Sequence, residues 1–182
     1  MTRAWPTAAV MLAIFADAPH GVVFVERAAH LRRHPSQIGL PGGMADLADG
    51  GDLDLTALRE LKEELGVDPR HVRVVGRLSA QRQTLNRLLV TPIVGLLAPH
   101  TALRIDGTET AGVFTIPLES IVAPGAVHRD PERSEALSHT IYALDYEGRN
   151  VWGFTARILR SFAQAWNAKG STIRAAFDAE LR

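Results

Sequence analysis

The sequence contains no cysteine. That excludes disulfides, thiolate metal sites and cysteine nucleophiles. Net charge is missing too, because twenty Lys and Arg residues balance twenty Asp and Glu. A groove for nucleic acid calls for a clear basic excess, so no nucleic-acid partner is expected, although a local phosphate site stays open. No stretch approaches the roughly eighteen apolar residues of a membrane span, so no membrane partner is expected either. The apolar run TAAVMLAIFA near the start is short. It lacks the charged start and small-residue cleavage site of a secretory signal. The ending AELR matches no retention or peroxisomal signal. A soluble, cytoplasmic protein is expected. Repeats, linkers and low-complexity tracts are also lacking, so residues 1–182 read as a single domain with one core.

What is present reads as an α/β chain. TAAVMLAIFAD and GVVFVERA are rich in Val, Ile and Phe and predict two strands joined by the turn DAPHG. From His30 to about Asp52 the chain is polar and glycine-rich, with PGG and DGGD, and regular structure is not expected there. Loops of that length within a compact domain are usually functional or disordered. DLDLTALRELKEELG then sets Leu55, Leu58, Leu61 and Leu65 at helical spacing, with Asp54 or Thr56 as cap and Gly66 at the end. HVRVVGRLSA and RLLVTPIVGLLA predict strands joined by QRQTLN, and GVFTIPL a strand leading into a helix at LESIV. Residues 123–138 read as a loop, and HTIYALDY, EGRN and VWG as a hairpin. FTARILRSFAQAW predicts a helix that TIRAAFDAEL can continue.

Within RELKEELG, Glu60, Glu63 and Glu64 recur at spacings of three and four, so they crowd one side of a helix. Like charges so placed repel by about 0.2–0.5 kcal/mol per pair. A solvated acidic face is one explanation. A magnesium site is the other, since Mg²⁺ takes carboxylates, waters and substrate phosphates, and it would remove the repulsion. The seven histidines show no metal-ligand spacing, and none is assigned as a ligand.

Gly43, Arg59, Glu60, Leu61, Glu63, Glu64, Gly66 and Val67 resemble the signature of the Nudix hydrolases, Gly-x5-Glu-x7-Arg-Glu-U-x-Glu-Glu-x-Gly-U, with U aliphatic. RELKEELGV fits at every specified position. The first half departs: Arg59 falls two residues late, and the isolated glutamate is missing, with Asp46, Asp49 and Asp52 nearby and none assigned its role. The resemblance implies an α/β/α sandwich with a mixed sheet and a catalytic loop-helix-loop. It implies cleavage of a pyrophosphate linkage, with Glu60, Glu63 and Glu64 holding Mg²⁺ or Mn²⁺ and Arg59 orienting the glutamates by ion pairing. Such ions polarise phosphoryl oxygens and acidify water, and a carboxylate takes the proton.

Segments outside the box resemble the coenzyme A pyrophosphatase branch of that family. LRRHPSQIGLPGG is close to LRxHxGQISFPGG, with Ser36 for a glycine, Gly39 for a small residue and Leu40 for a phenylalanine. Asp46 and Asp49 suit a GG-x-x-D-x-x-D continuation, LLVTPIVGLL resembles a VTP strand, and NVWGFTARIL resembles a Trp-Gly-x-Thr-Ala helix start. TETAGVFTIPL places Glu109 as a further metal ligand or base, leaving Glu64 and Glu109 as alternatives for the base. The likeness spans roughly residues 8 to 165, and QRQTLN is its least typical piece.

The implied reaction is hydrolysis of CoA, with CoA esters as further substrates, to 3′,5′-ADP and 4′-phosphopantetheine. Other nucleoside diphosphate derivatives or (d)NTPs are the alternative. Arg32, Arg33, His34 and Gln37 are candidate substrate contacts, with solvation of a loop the alternative for each cation. Gly42 and Gly43 either let backbone N–H groups approach a phosphate or make a tight turn. A small-molecule substrate is the partner implied; the oligomeric state stays open, a homodimer included.

Overall fold

The computed structural model describes residues 5–30, 36–105 and 107–182. Along the chain run strands β1 (Thr7–Phe15), β2 (Gly21–Arg27), β3 (Ile38–Gly39) and β4 (Gly42–Met44), then helix α1 (Leu53–Leu65). Next come β5 (Val72–Arg77), β6 (Gln81–Gln83), β7 (Leu88–Leu97), β8 (Thr110–Pro117) and α2 (Leu118–Val122). The chain continues through β9 (His128–Asp130), α3 (Pro131–Ala136), β10 (Ile141–Tyr146), β11 (Arg149–Trp152), α4 (Gly153–Asn167) and α5 (Thr172–Glu180).

An eight-stranded mixed sheet is built on β1. Its parallel partner β7 runs beside it from Thr7↔Leu89 to Phe15↔Leu97. On the other edge β1 meets β2 at Ile14↔Val22, after which the two strands diverge. Residues 38–44 fill the resulting fork. β3 pairs with β2 at Val25↔Gly39, and β4 pairs with β1 at Val10↔Gly42 and Ala8↔Met44. Between them the Pro41 carbonyl accepts from Met11 N at 2.8 Å. β8 lies on the outer edge of β2, while β5 and β6 share the outer edge of β7.

Strand alternation gives the sheet two buried faces. Ala9, Met11, Ala13, Val23, Val25, Ile93 and Leu97 pack against Ala57, Leu61 and Leu65 of α1. Leu12, Ile14, Val22, Phe24, Val94 and Leu96 face Ile158, Leu159, Phe162 and Trp166 of α4, with Ile173 and Phe177 of α5 beyond. The result is the expected α/β/α sandwich. A smaller sheet, β9–β10–β11, packs through β10 against α4. The expected hairpin is β10–β11, turning at Glu147 and Gly148, both at positive φ as a two-residue turn of this hand requires.

Several expectations are corrected. Residues 38–39 and 42–44 are strands, because backbone donors and acceptors inside a fork must be paired. Residues 128–136 form β9 and α3, where Asp130 caps the helix through Arg133 N at 2.9 Å and Pro131 opens it. Gln81–Gln83 within QRQTLN forms β6. α5 is a separate helix, started by Ser171, whose side chain accepts from Arg174 N at 3.1 Å. α1 is capped by Asp52 rather than Asp54 or Thr56. Leu55 is not on its buried stripe: it is 51% exposed, while Leu61 and Leu65 are 0% exposed and Thr56 and Ala57 complete the contact. Among the described residues no helix is long and apolar enough to cross a membrane.

That difference is measurable. Leu61→Ala should cost about 2–5 kcal/mol of stability in urea unfolding, as a buried leucine truncation does. Leu55→Ala should change it by no more than about 0.5 kcal/mol, as expected at an exposed position.

Candidate active site

α1 lies across the fork, and the glycines of β4 let it come close. A Cβ on Gly43 would sit 2.4 Å from the Glu60 carboxylate carbon, so only glycine leaves room for that side chain. Gly42 has φ +153°, and a Cβ there would meet the Ala9 carbonyl oxygen at 2.3 Å. Its N–H donates to Glu64 Oε2 at 3.2 Å. Close approach on both sides therefore accounts for the pair of glycines.

Arg59 is the hub of the acidic helix. Its Nη1 donates to Glu60 Oε1 at 2.8 Å and to Glu63 Oε2 at 3.0 Å. Nε and Nη2 fork onto the two oxygens of Asp49 at 3.1 and 3.2 Å, and Nη2 also reaches the Met44 carbonyl at 2.9 Å. Asp49 is only 5% exposed. It also accepts from Thr56 Oγ1 at 2.8 Å and from Asp46 N at 2.9 Å. The Arg59 guanidinium, helped by the Asp46 N–H, holds the Asp49 carboxyl well below the usual carboxylate range. Asp49 in turn raises Arg59. This bidentate pair ties the loop to the helix in a fixed orientation.

Asp49 is the residue that sequence reasoning left unassigned among three aspartates. A signal was there: Asp49 lies six residues after Gly43, where the signature places its isolated glutamate, and the two extra residues fall between it and Arg59. The fold separates it from Asp46 and Asp52 by what each of them meets. Asp46 caps the short turn Leu47–Asp49 by accepting from Ala48 N, and Asp52 caps α1.

The three glutamates do not share one environment. At about 100° per residue, Glu60 and Glu64 stand about 40° apart around α1, while Glu63 stands about 100° from Glu64. The Glu63 side chain is 58% exposed and that of Glu60 16%. Burial raises Glu60, against the pull of Arg59. Glu64 is pushed up to about 7, by burial first and then by the negative charges of Glu60 and Glu109. The Gly42 N–H and the Arg27 guanidinium act in the other direction. Glu109 is exposed just ahead of β8, and its carbonyl accepts from Ala28 N at 2.9 Å, which fixes it beside the end of β2.

Glu60 and Glu64 thus lie against Gly43 and Gly42, Glu109 acts on Glu64 through its charge, and Glu63 bonds to Arg59. Gln37 lies at the mouth of the fork, its carbonyl accepting from Arg27 N at 3.0 Å. Arg32, Arg33 and His34 lie outside the described residues. Arg27, whose charge acts on Glu64, was missed from sequence. Among the described residues no three acidic or histidine side chains converge as a ready-made cage. The donor set nevertheless fits a hard divalent cation: all oxygen, crowded with negative charge, with the Glu60 carboxylate seated directly on the Gly43 backbone.

The raised carboxyl of Glu64 sets the sign of a pH effect. Between about 4.5 and 7 the folded state holds this proton more tightly than the unfolded chain, so stability falls as pH rises through that window. In metal-free protein kept in EDTA, urea unfolding at pH 5, 6, 7 and 8 should show a loss approaching about 3 kcal/mol. Glu64→Gln should flatten the slope; an unchanged slope in that variant would remove Glu64 as its source.

A family model described as the NUDIX domain matches residues 5–137. The chain is 37% identical over 157 residues to an uncharacterized Nudix hydrolase, NudL, of Yersinia pestis (strain Pestoides F), covering 86% of this chain and 78% of that protein. Among solved structures, a putative Nudix hydrolase family member from Chromobacterium violaceum superposes with TM-score 0.56 at 16% identity, over 99% of this chain and 91% of that one. A Nudix hydrolase from Alicyclobacillus acidocaldarius gives TM-score 0.54 at 17% identity, over 94% and 97%. The two structural likenesses show the fold, and the family model and the Yersinia relative show descent: the chain belongs to the Nudix family.

Proposed function

We propose that the protein hydrolyses the pyrophosphate bond of coenzyme A, releasing 3′,5′-ADP and 4′-phosphopantetheine, with Mg²⁺ or Mn²⁺ held by Glu60, Glu64 and Glu109 and approached by Glu63. The observation that carries the substrate assignment is a contact between two segments that resemble the CoA branch. Thr155, from WGFTA at the start of α4, donates through Oγ1 to the carbonyl of Ile38, from QIGLPGG, at 3.3 Å across 117 residues. The two segments therefore meet in the fold, on the face of the sheet that α4 covers.

The departures from the branch pattern also fall harmlessly. Ser36 stands where the pattern has glycine, yet it keeps φ +55°, the left-handed conformation a glycine would supply. Leu40, in place of phenylalanine, is buried in the α4-side core, where an aliphatic replacement changes packing rather than substrate contact. β6, within the least typical segment, is tied to α4 by Arg157, which donates to Gln81 Oε1 at 3.2 Å and to the Arg82 carbonyl.

In this reading Asp49 fixes Arg59, and Arg59 fixes Glu60 and Glu63. The Gly42 N–H orients Glu64, a buried carboxyl whose raised proton affinity suits proton transfer near neutral pH. Glu109 is the other candidate base. A bound divalent ion supplies polarisation of the phosphoryl oxygens and acidifies water. The second reading, cleavage of another nucleoside diphosphate derivative or a (d)NTP, uses the same residues on a different leaving group.

A substrate panel with Mg²⁺ and Mn²⁺, read by product mass, tests the assignment. CoA should give the two named products, and Glu64→Gln should lower kcat by about a hundredfold or more, as expected when a group engaged in the transition state is lost. Untouched CoA beside efficient turnover of another nucleotide would move the assignment to the second reading.

A further inference from the structure

Arg27 ends β2, and the alternation of that strand decides where it points. Val22 and Phe24 face α4, whereas Val23 and Val25 face α1. Arg27 continues the second series and so lies on the side that carries the glutamates. The register shift opposite Glu26 and Arg27 leaves Ala111 of β8 as the extra residue, so the bulge lies on β8 and the alternation of β2 runs on to Arg27. The stem is held firmly. Arg27 N donates to the Gln37 carbonyl at 3.0 Å, and its own carbonyl accepts from Ser36 N at 3.1 Å.

The head of the side chain is not held in the same way. Its charge reaches Glu64. Among the described residues, however, no carboxylate comes within ion-pair distance of it, and its Nε is buried without a hydrogen-bond partner. Arg59, a helix turn from Glu63, spends its donors on two glutamates, an aspartate and a carbonyl. A counter-ion for the glutamates would be expected to close onto one of them. A half-buried guanidinium that stands off from them, with a buried donor unspent, is suited to an anion that must enter between the two.

The geometry points to Arg27 as a substrate-binding residue that takes the non-bridging oxygens of the diphosphate on the β2 side of the fork. This rests on the proposed diphosphate reading of the site, but on no particular group attached to the diphosphate. Arg27 therefore recognises the second phosphate rather than the nucleoside.

The test compares α,β-methylene-ADP, whose bridging carbon resists hydrolysis, with AMP. Both are titrated by calorimetry in Mg²⁺ into wild type, Arg27→Ala, Arg27→Gln and Arg27→Lys, with melting temperature as the check on folding. Wild type should bind the diphosphate more tightly than AMP. Arg27→Ala should weaken the diphosphate by about tenfold or more while changing AMP by less than about threefold, and Arg27→Lys should recover part of the loss. If the alanine variant does not fold, the glutamine variant is read in its place. Unchanged diphosphate binding, or an equal loss for both ligands, overturns the assignment of Arg27 alone. Wild type that binds neither ligand and turns over no diphosphate overturns the diphosphatase reading and this proposal with it.

Discussion

β1 and β2 share a ladder at Ile14 and Val22 and then part, and the site depends on that parting. A sheet cannot leave two strands diverging with unpaired backbone between them, so residues 38–44 must cross from one to the other. The crossing brings the chain so close to β1 and α1 that Gly42 admits no side chain and one on Gly43 would displace the Glu60 carboxylate. In exchange, the backbone N–H of Gly42 and the side chain of Glu60 are pressed against each other's elements, and the carboxylates of α1 are held over the fork. Fold and chemistry share one constraint here.

Electrostatics supplies the second layer. Five acidic side chains gather where the loop, α1 and β8 meet, and the chain answers with two arginines used in opposite ways. Arg59 is saturated and acts as a fastener: its fork on Asp49 and its bonds to Glu60 and Glu63 turn repelling charges into one rigid network. Arg27 stands apart with a donor unspent. Glu64 accepts from a single backbone donor, the Gly42 N–H, and burial raises its proton affinity. A divalent cation and a diphosphate together would satisfy what the protein alone leaves unsatisfied.

Much of this was legible in the residues. The leucine spacing located α1, Val- and Ile-rich runs located the long strands, and RELKEELG marked the glutamates and their arginine. Glu109 was placed only through resemblance, since nothing in its local spacing joins it to α1. Asp49 was marked only by its spacing from Gly43; what each of the three aspartates does depends on which backbone or guanidinium it meets. β3 and β4 were invisible for a related reason: two- and three-residue strands carry no periodicity, and their pairing partners lie a dozen or more residues away.

The sequence by itself determined the long strands and the helix that carries the carboxylates, since apolar periodicity acts between near neighbours, and its resemblance to a known family implied the sandwich. Tertiary structure alone decided which aspartate holds Arg59, which glutamate is buried, and that Arg27 belongs with them. Those outcomes turn on desolvation and on contacts between residues far apart in the chain. Burial, charge and hydrogen-bond donors act together at Glu64 only once β2, β4, α1 and the approach to β8 have met.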